Sequence, residues 1–270
     1  MNIAHPALAT SLIKSIPSRF LGRVVDLDII IPSNLNNFRN LPLLLVNDGQ
    51  DLAKMPLLPI LEQLWRQHEI APLLVIGIHA GPNRKMEYGV QGQPDYLGRG
   101  ALAGEYQSFV SQELIPFLEQ YWSLSSFTDL SVAGFSLGGL SAFDMAWTNK
   151  LSFKRVGVFS GSLWWRYIDQ NDPCYSDQAH RIMHGRVRET NQVPSDLQFF
   201  FQCGALDEKS DRNKNGVIDS IDDTLDLIQE LALKGVDADR AIHYLELQDG
   251  KHDVPTWAKA MPYFLKWGWG

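Results

Sequence analysis

Hydrophobic positions recur along this chain with two periods. Short apolar runs of strand length appear as "LPLLLVN", "PLLVIGI", "LSVAGF", "RVGVFS" and "LQFFFQC", and "AIHYLEL" closes the series. Near-continuous runs of this kind suit parallel strands covered on both faces. "VVDLDIII" alternates apolar and polar at first, the pattern of an edge strand with one wet face. Helical spacing lies between the runs. "EYQSFVSQELIPFLEQYW" places Tyr106, Phe109, Val110, Leu114, Phe117 and Leu118 on one stripe, which Pro116 must kink or interrupt. "SIDDTLDLIQELALKG" gives Ile221, Leu225, Ile228 and Leu231, with Gly235 as a stop. This alternation predicts an α/β protein, a mostly parallel sheet flanked by helices, in a single domain over residues 1–270. Residues 162–196 carry the least strand character. They hold Trp164, Trp165 and a helical pattern near Asp177 to Arg188, and read as a cap-like insertion over the sheet edge.

Composition narrows the function classes. A chain of 270 residues, 45% hydrophobic, can bury one large core. A net charge of -7 argues against a nucleic-acid partner, which needs a basic face. No apolar stretch is long enough to span a membrane, and the N-terminus lacks the apolar run of a signal peptide. Cys174 and Cys203 alone do not make a disulfide framework. The expectation is a cytoplasmic protein acting on a small molecule.

The chemistry concentrates in "LSVAGFSLGGLSAF". Gly134-Phe135-Ser136-Leu137-Gly138 is a G-x-S-x-G turn between a predicted strand and a predicted helix. Such a turn strains the serine backbone and lifts its hydroxyl to a helix N-terminus, and glycines at both flanks avoid a clash. A serine needs a base, and in this fold the chain order is Ser, acid, His. His243 lies inside the last strand; His252 follows it in "LQDGKHDVPTW" and is the candidate base. Asp207 follows "LQFFFQC" most closely and is the candidate acid, ahead of Glu208 and Asp211. The oxyanion donors are expected from the Leu137 N–H and from the loop Asp48-Gly49-Gln50, through the Gln50 N–H. An ordinary turn is the alternative for that loop. Trp164, Trp165 and Tyr88 flank predicted strand ends and are candidates to line the substrate pocket, with core as the alternative. His180 and His184, one helical turn apart, read as a solvated helix face, since no third zinc ligand accompanies them.

A second motif overlaps the acid loop. From Asp211 the chain reads D-R-N-K-N-G-V-I-D-S-I-D, which matches the register of an EF-hand calcium loop. Asp211, Asn213, Asn215, the Val217 carbonyl, Asp219 and Asp222 would be its ligands, with aspartate replacing glutamate at the last position. The alternative is a helix-capping turn rich in Asp and Asn. The expected ion is structural calcium, with no cofactor required for chemistry. Glu208 and Asp223 are expected to face water.

These marks, with "NDGQD", "EYG" at Glu87 to Gly89, "YQSFVSQELIPF", "FSGSLWW", "CGALDE" and "KHDVPTW", resemble the putative-esterase family of α/β-hydrolases. That family includes enterochelin esterases, S-formylglutathione hydrolases and the mycolyltransferase antigens. The resemblance runs from about Gly22 to Trp267 and implies ester or thioester hydrolysis with Ser136, Asp207 and His252 as nucleophile, acid and base. The chain lacks the Gly-rich HGGG oxyanion loop. Acyl transfer on the same fold and a non-catalytic binding protein are the alternatives.

Overall fold

The computed structural model describes residues 9–33, 38–148 and 151–270. The N-terminal segment 1–8 lies outside the described residues. Strands β1 (Ala9–Ser18), β2 (Arg23–Pro32), β3 (Leu43–Asn47), β4 (Leu74–Ile78), β5 (Leu130–Phe135), β6 (Arg155–Phe159), β7 (Gln198–Leu206) and β8 (Ile242–Lys251) form one sheet. Its order is β1-β2-β4-β3-β5-β6-β7-β8. The pairs β1–β2 and β2–β4 are antiparallel and the rest are parallel. The mostly parallel sheet is as expected, but the edge is not. β2 has partners on both sides, and β1, unread in the sequence, is the outer strand. Its apolar signal is weak because Ile13 points into water at 68% exposure. Pro17 is tolerated in β1 because an edge strand leaves one row of N–H groups unpaired.

The central strands are mostly apolar because each side of the sheet is covered. Leu43, Leu45, Phe199 and Phe201 enter one core layer; Leu44, Val46 and Phe200, offset by one residue, enter the other. Helices α1 (Leu57–Arg66) and α10 (Val254–Trp269) cover the second layer with Leu61, Trp65, Met261 and Phe264. The first layer is covered by α3 (Ala103–Phe109), α4 (Ile115–Tyr121), α5 (Leu137–Thr148), α7 (Ile182–Glu189) and α8 (Asp219–Leu233); α2 (Arg84–Glu87), α6 (Asp177–His180) and α9 (Ala238–Ala241) are single turns. A π-helical turn at Val110–Leu114 joins α3 to α4, so Pro116 enters at the start of a new helix and breaks no ladder. The helix expected near Asp177 to Arg188 is split at Arg181, which turns extended and bridges to Arg166. Trp165, Ile182, Met183 and Val187 of the segment 162–196 join the same core layer as Phe199 and Phe201 of β7. No helix among the described residues is long and apolar enough to cross a membrane.

Candidate active site

The turn after β5 has the geometry its sequence implies. Ser136 has a φ of 53°, in the left-handed region that non-glycine residues avoid. A Cβ on Gly134 would lie 2.2 Å from the Gly138 carbonyl oxygen, so only glycine lets the strand and helix cross this closely. A Cβ on Gly138 would meet Asp48 Oδ2 at 2.6 Å, because the loop after β3 is pressed against the elbow. Leu137 opens α5, and a first-turn N–H has no intrahelical acceptor. The Ser136 Oγ lies 3.3 Å from the Ser162 Oγ.

The loop after β3 is bound to the elbow by buried polar contacts. The Asn47 side-chain amide donates to the Gly138 carbonyl at 2.8 Å, and the Tyr106 hydroxyl donates to Asn47 Oδ1 at 2.5 Å. Asp48 is buried with a φ of 61° and receives a forked pair of hydrogen bonds from Arg84 at 2.6 and 2.7 Å. Gly49 sits where a Cβ would strike the Gly77 carbonyl carbon at 2.4 Å. Gln50 follows in a short 3-10 turn, and its side-chain oxygen accepts from the Ala80 N–H at 3.0 Å.

Two of the three aromatic candidates are core. Tyr88 is fully buried, and its hydroxyl accepts from the Asp48 N–H at 3.2 Å, so it braces the loop after β3. Trp165 is also fully buried. Its ring lies over Gly89 and Gly100, and its Nε1 donates to the Gln93 carbonyl at 3.1 Å. Trp164 is half-buried and flanked by the guanidinium groups of Arg99 and Arg166. With Arg166, Gln170, Glu208, Ser210 and Asp219 it lines a polar cavity of about 160 Å³.

Asp207 and His252 leave adjacent strand ends. Leu206 of β7 is the register partner of Lys251 of β8, and each candidate is the next residue. A Cβ on Gly204 would lie 2.5 Å from the Gly250 carbonyl, so bare backbone lets the two strand ends close. Asp207 Oδ2 accepts from the Gly204 N–H at 3.0 Å, while Oδ1 is buried and unpaired among the described residues. His252 is exposed to solvent. Partial desolvation lowers its imidazole pKa, the Asp207 carboxylate pushes it up, and Arg84 adds to the lowering. Trp257 stands edge-on to His252 at 5.5 Å and stacks on Phe135 at 5.0 Å, so one indole touches both His252 and the residue before Ser136. Its Nε1 is fixed by the Ser160 hydroxyl at 3.0 Å.

The acid-rich segment divides differently from its expected roles. Asp211 accepts from the Asn215 and Gly216 N–H groups, and Asp222 Oδ2 accepts from the side-chain amides of Asn213 and Asn215, each at 2.8 Å. Asp219 is engaged by Arg212 instead. No group of three or more His, Cys, Asp or Glu side chains among the described residues is arranged to hold a metal. Asp223 does not face water: it is fully buried between Arg181 and Arg212, at 2.7 and 2.6 Å. Glu208 is half-buried, and burial together with Asp219 raises its carboxyl pKa. His184 is not on a solvated face either. It is fully buried with Nε2 on the Asp223 carbonyl at 2.8 Å, and burial lowers its pKa to about 3. His180, on the separate turn α6, is half-buried; its Nδ1 accepts from the Ser176 N–H at 3.0 Å.

Three groups escaped the sequence reading. Asp48 and Arg84 are 36 residues apart and Ser162 is 26 residues from Ser136, so no local spacing couples them. Trp257 lies in "KHDVPTW", but an indole carries the same sequence signal in a core as beside His252.

A serine on a strained strand-to-helix elbow, with an acid and a histidine at later strand ends of one mostly parallel sheet, defines an α/β-hydrolase fold. The chain belongs to the family described as putative esterase, whose model matches residues 18–267. Solved structures share the fold. An enterobactin esterase from Shigella flexneri aligns at 21% identity with a TM-score of 0.72, over 95% of this chain and 58% of that one. A ferulic acid esterase aligns at 18% identity and 0.71, over 96% and 97%. An IroE-like serine hydrolase from Shewanella oneidensis aligns at 18% and 0.68, over 95% and 80%. This chain thus spans little more than half of the enterobactin esterase. A comparison with curated proteins gave no match.

Proposed function

We propose that this protein is a serine esterase that hydrolyses small carboxylic esters or thioesters through an acyl-enzyme on Ser136. The observation that carries the reading is the left-handed backbone of Ser136 at the elbow, set in the same sheet as the adjacent strand ends that release Asp207 and His252. His252 takes the Ser136 proton as Oγ attacks the ester carbonyl. The Leu137 and Gln50 N–H groups hold the oxyanion. His252 then returns the proton to the leaving alcohol, and water repeats the cycle on the acyl-enzyme. Asp207 Oδ1 accepts from the imidazole and fixes its tautomer. Desolvation supports the neutral imidazole this base needs. Trp164 is the retained candidate for contact with the substrate.

Two further parts belong to this proposal. The 211–222 loop holds a structural calcium ion through Asp211, Asn213, Asn215, the Val217 carbonyl and Asp222, an oxygen-rich set that suits a hard cation, with Asp219 withdrawn to Arg212. The setting is the cytoplasm, since Cys174 and Cys203 are both free thiols. The test of the enzyme assignment is turnover of p-nitrophenyl acetate, which Ser136→Ala should abolish without changing the melting temperature.

A further inference from the structure

We propose that Ser162 is a catalytic residue whose hydroxyl donates a hydrogen bond to the nucleophilic oxygen of Ser136. The inference rests on Ser136 being the nucleophile and adds a group to its chemistry. The two hydroxyl oxygens are 3.3 Å apart, and Ser162 is buried at 4% exposure. Its placement is built from several constraints. β6 ends at Phe159, whose carbonyl accepts from the Ser136 N–H at 2.9 Å. Ser160 then turns with a φ of 44°, held by its N–H on the Gln202 carbonyl at 2.7 Å and by its hydroxyl on Trp257. Gly161 has no room for a side chain, since a Cβ would lie 2.5 Å from a Val158 methyl. The Ser162 N–H finally donates to the Ser136 carbonyl at 3.1 Å. Backbone and side chain of Ser162 are both directed at the elbow.

The direction of the hydrogen bond follows from the chemistry. A nucleophilic serine must give its proton to the base. If Ser136 donated to Ser162, that proton would be aimed away from His252. With Ser162 as donor, the Ser136 proton remains free for the imidazole. The donated bond then strengthens as negative charge grows on Oγ, because hydrogen bonds to charged groups exceed neutral ones. It acts again in deacylation, when Ser136 Oγ is the leaving group. The Leu137 and Gln50 donors serve the carbonyl oxygen, whereas Ser162 serves the attacking one.

The test compares wild type, Ser162→Ala and Ser162→Thr in two reactions: labelling of Ser136 by a small fluorophosphonate, and kcat/KM for p-nitrophenyl acetate and butyrate. Rates are normalised to active sites counted by burst titration, so that misfolded molecules drop out. Ser162→Ala should slow all three by the same factor, roughly 10- to 100-fold, with the melting temperature unchanged. A common factor marks contact with the nucleophile, since a substrate contact would discriminate acetate, butyrate and phosphonate. The acidic midpoint of the pH profile should stay in place, because His252 keeps its surroundings. Ser162→Thr, which retains the hydroxyl, should restore most of the rate. Wild-type rates in Ser162→Ala, or a loss that Thr does not restore and that accompanies a lower melting temperature, would overturn the proposal. Absence of label on Ser136 in the wild type would instead sink the nucleophile assignment beneath it.

Discussion

Asp207 and His252 stand side by side because the residues before them, Leu206 and Lys251, are register partners on adjacent parallel strands. Sheet register, together with the tight turn that pairs Asp207 with Gly204, therefore places this carboxylate. Asp211, four residues further on, is occupied by the Asn215 and Gly216 N–H groups. Asp207→Asn should lower kcat by roughly 10,000-fold by imposing the wrong imidazole tautomer, as removal of the triad aspartate does in serine proteases. Asp211→Asn should leave it within a few-fold. Steady-state kinetics with a reversal of these two outcomes would move the acid to Asp211.

The pH profile follows from the surroundings of His252. The base works as neutral imidazole, so activity is lost as pH falls through its pKa. Desolvation lowers that pKa from 6.5, and Asp207 pushes it back up. The acidic limb of kcat/KM should have its midpoint below 6.5, and Asp207→Asn should move the midpoint lower still. A midpoint above 6.5 in the wild type, measured over pH 4 to 8, would contradict the assignment.

Arg84 should matter to catalysis although it belongs to no triad. Its forked contact neutralises a buried Asp48 held in a left-handed conformation two residues before Gln50. Arg84→Ala leaves that buried carboxylate without its counter-charge, with only the Gln50 side-chain amide at 3.3 Å. The cost should be about 3 kcal/mol, the low end for a broken buried pair because Arg84 keeps some exposure. Thermal melting should show the destabilisation, and kcat should fall with it as the loop carrying the proposed Gln50 donor shifts. An unchanged melting temperature would mean that the loop is held by Asn47 and Tyr106 alone.

Local chemistry was readable in advance and distant contacts were not. Ser136, His252 and Asp207 each sit within a few residues of a strand end, so strand pattern and chain order could single them out as candidates. Burial of charged and aromatic side chains obeyed no such rule. Asp223 read as a solvated helix residue, yet Arg181 and Arg212 converge on it from 42 and 11 residues away. Tyr88 and Trp165 read as pocket candidates because an aromatic ring carries the same signal in a core as at a mouth. β1 escaped notice because its exposed Ile13 breaks the alternation that marks a strand.

Calcium should bind the 211–222 loop and raise the melting temperature, with chelator reversing the effect. Asp211→Ala with Asp222→Ala should abolish both responses and leave Arg212 to hold Asp219. Calorimetry without binding at millimolar calcium, together with wild-type melting in the double variant, would make the loop a capping turn.

The central claim is that Ser136 carries the acyl group. Its most direct measurement is mass spectrometry of the protein quenched during turnover of p-nitrophenyl acetate, followed by digestion. The account predicts one added acetyl group on the peptide containing Ser136, absent in Ser136→Ala and accumulating in a variant of His252 slowed in deacylation. Turnover with no adduct on that peptide, or an adduct that persists in Ser136→Ala, would contradict it.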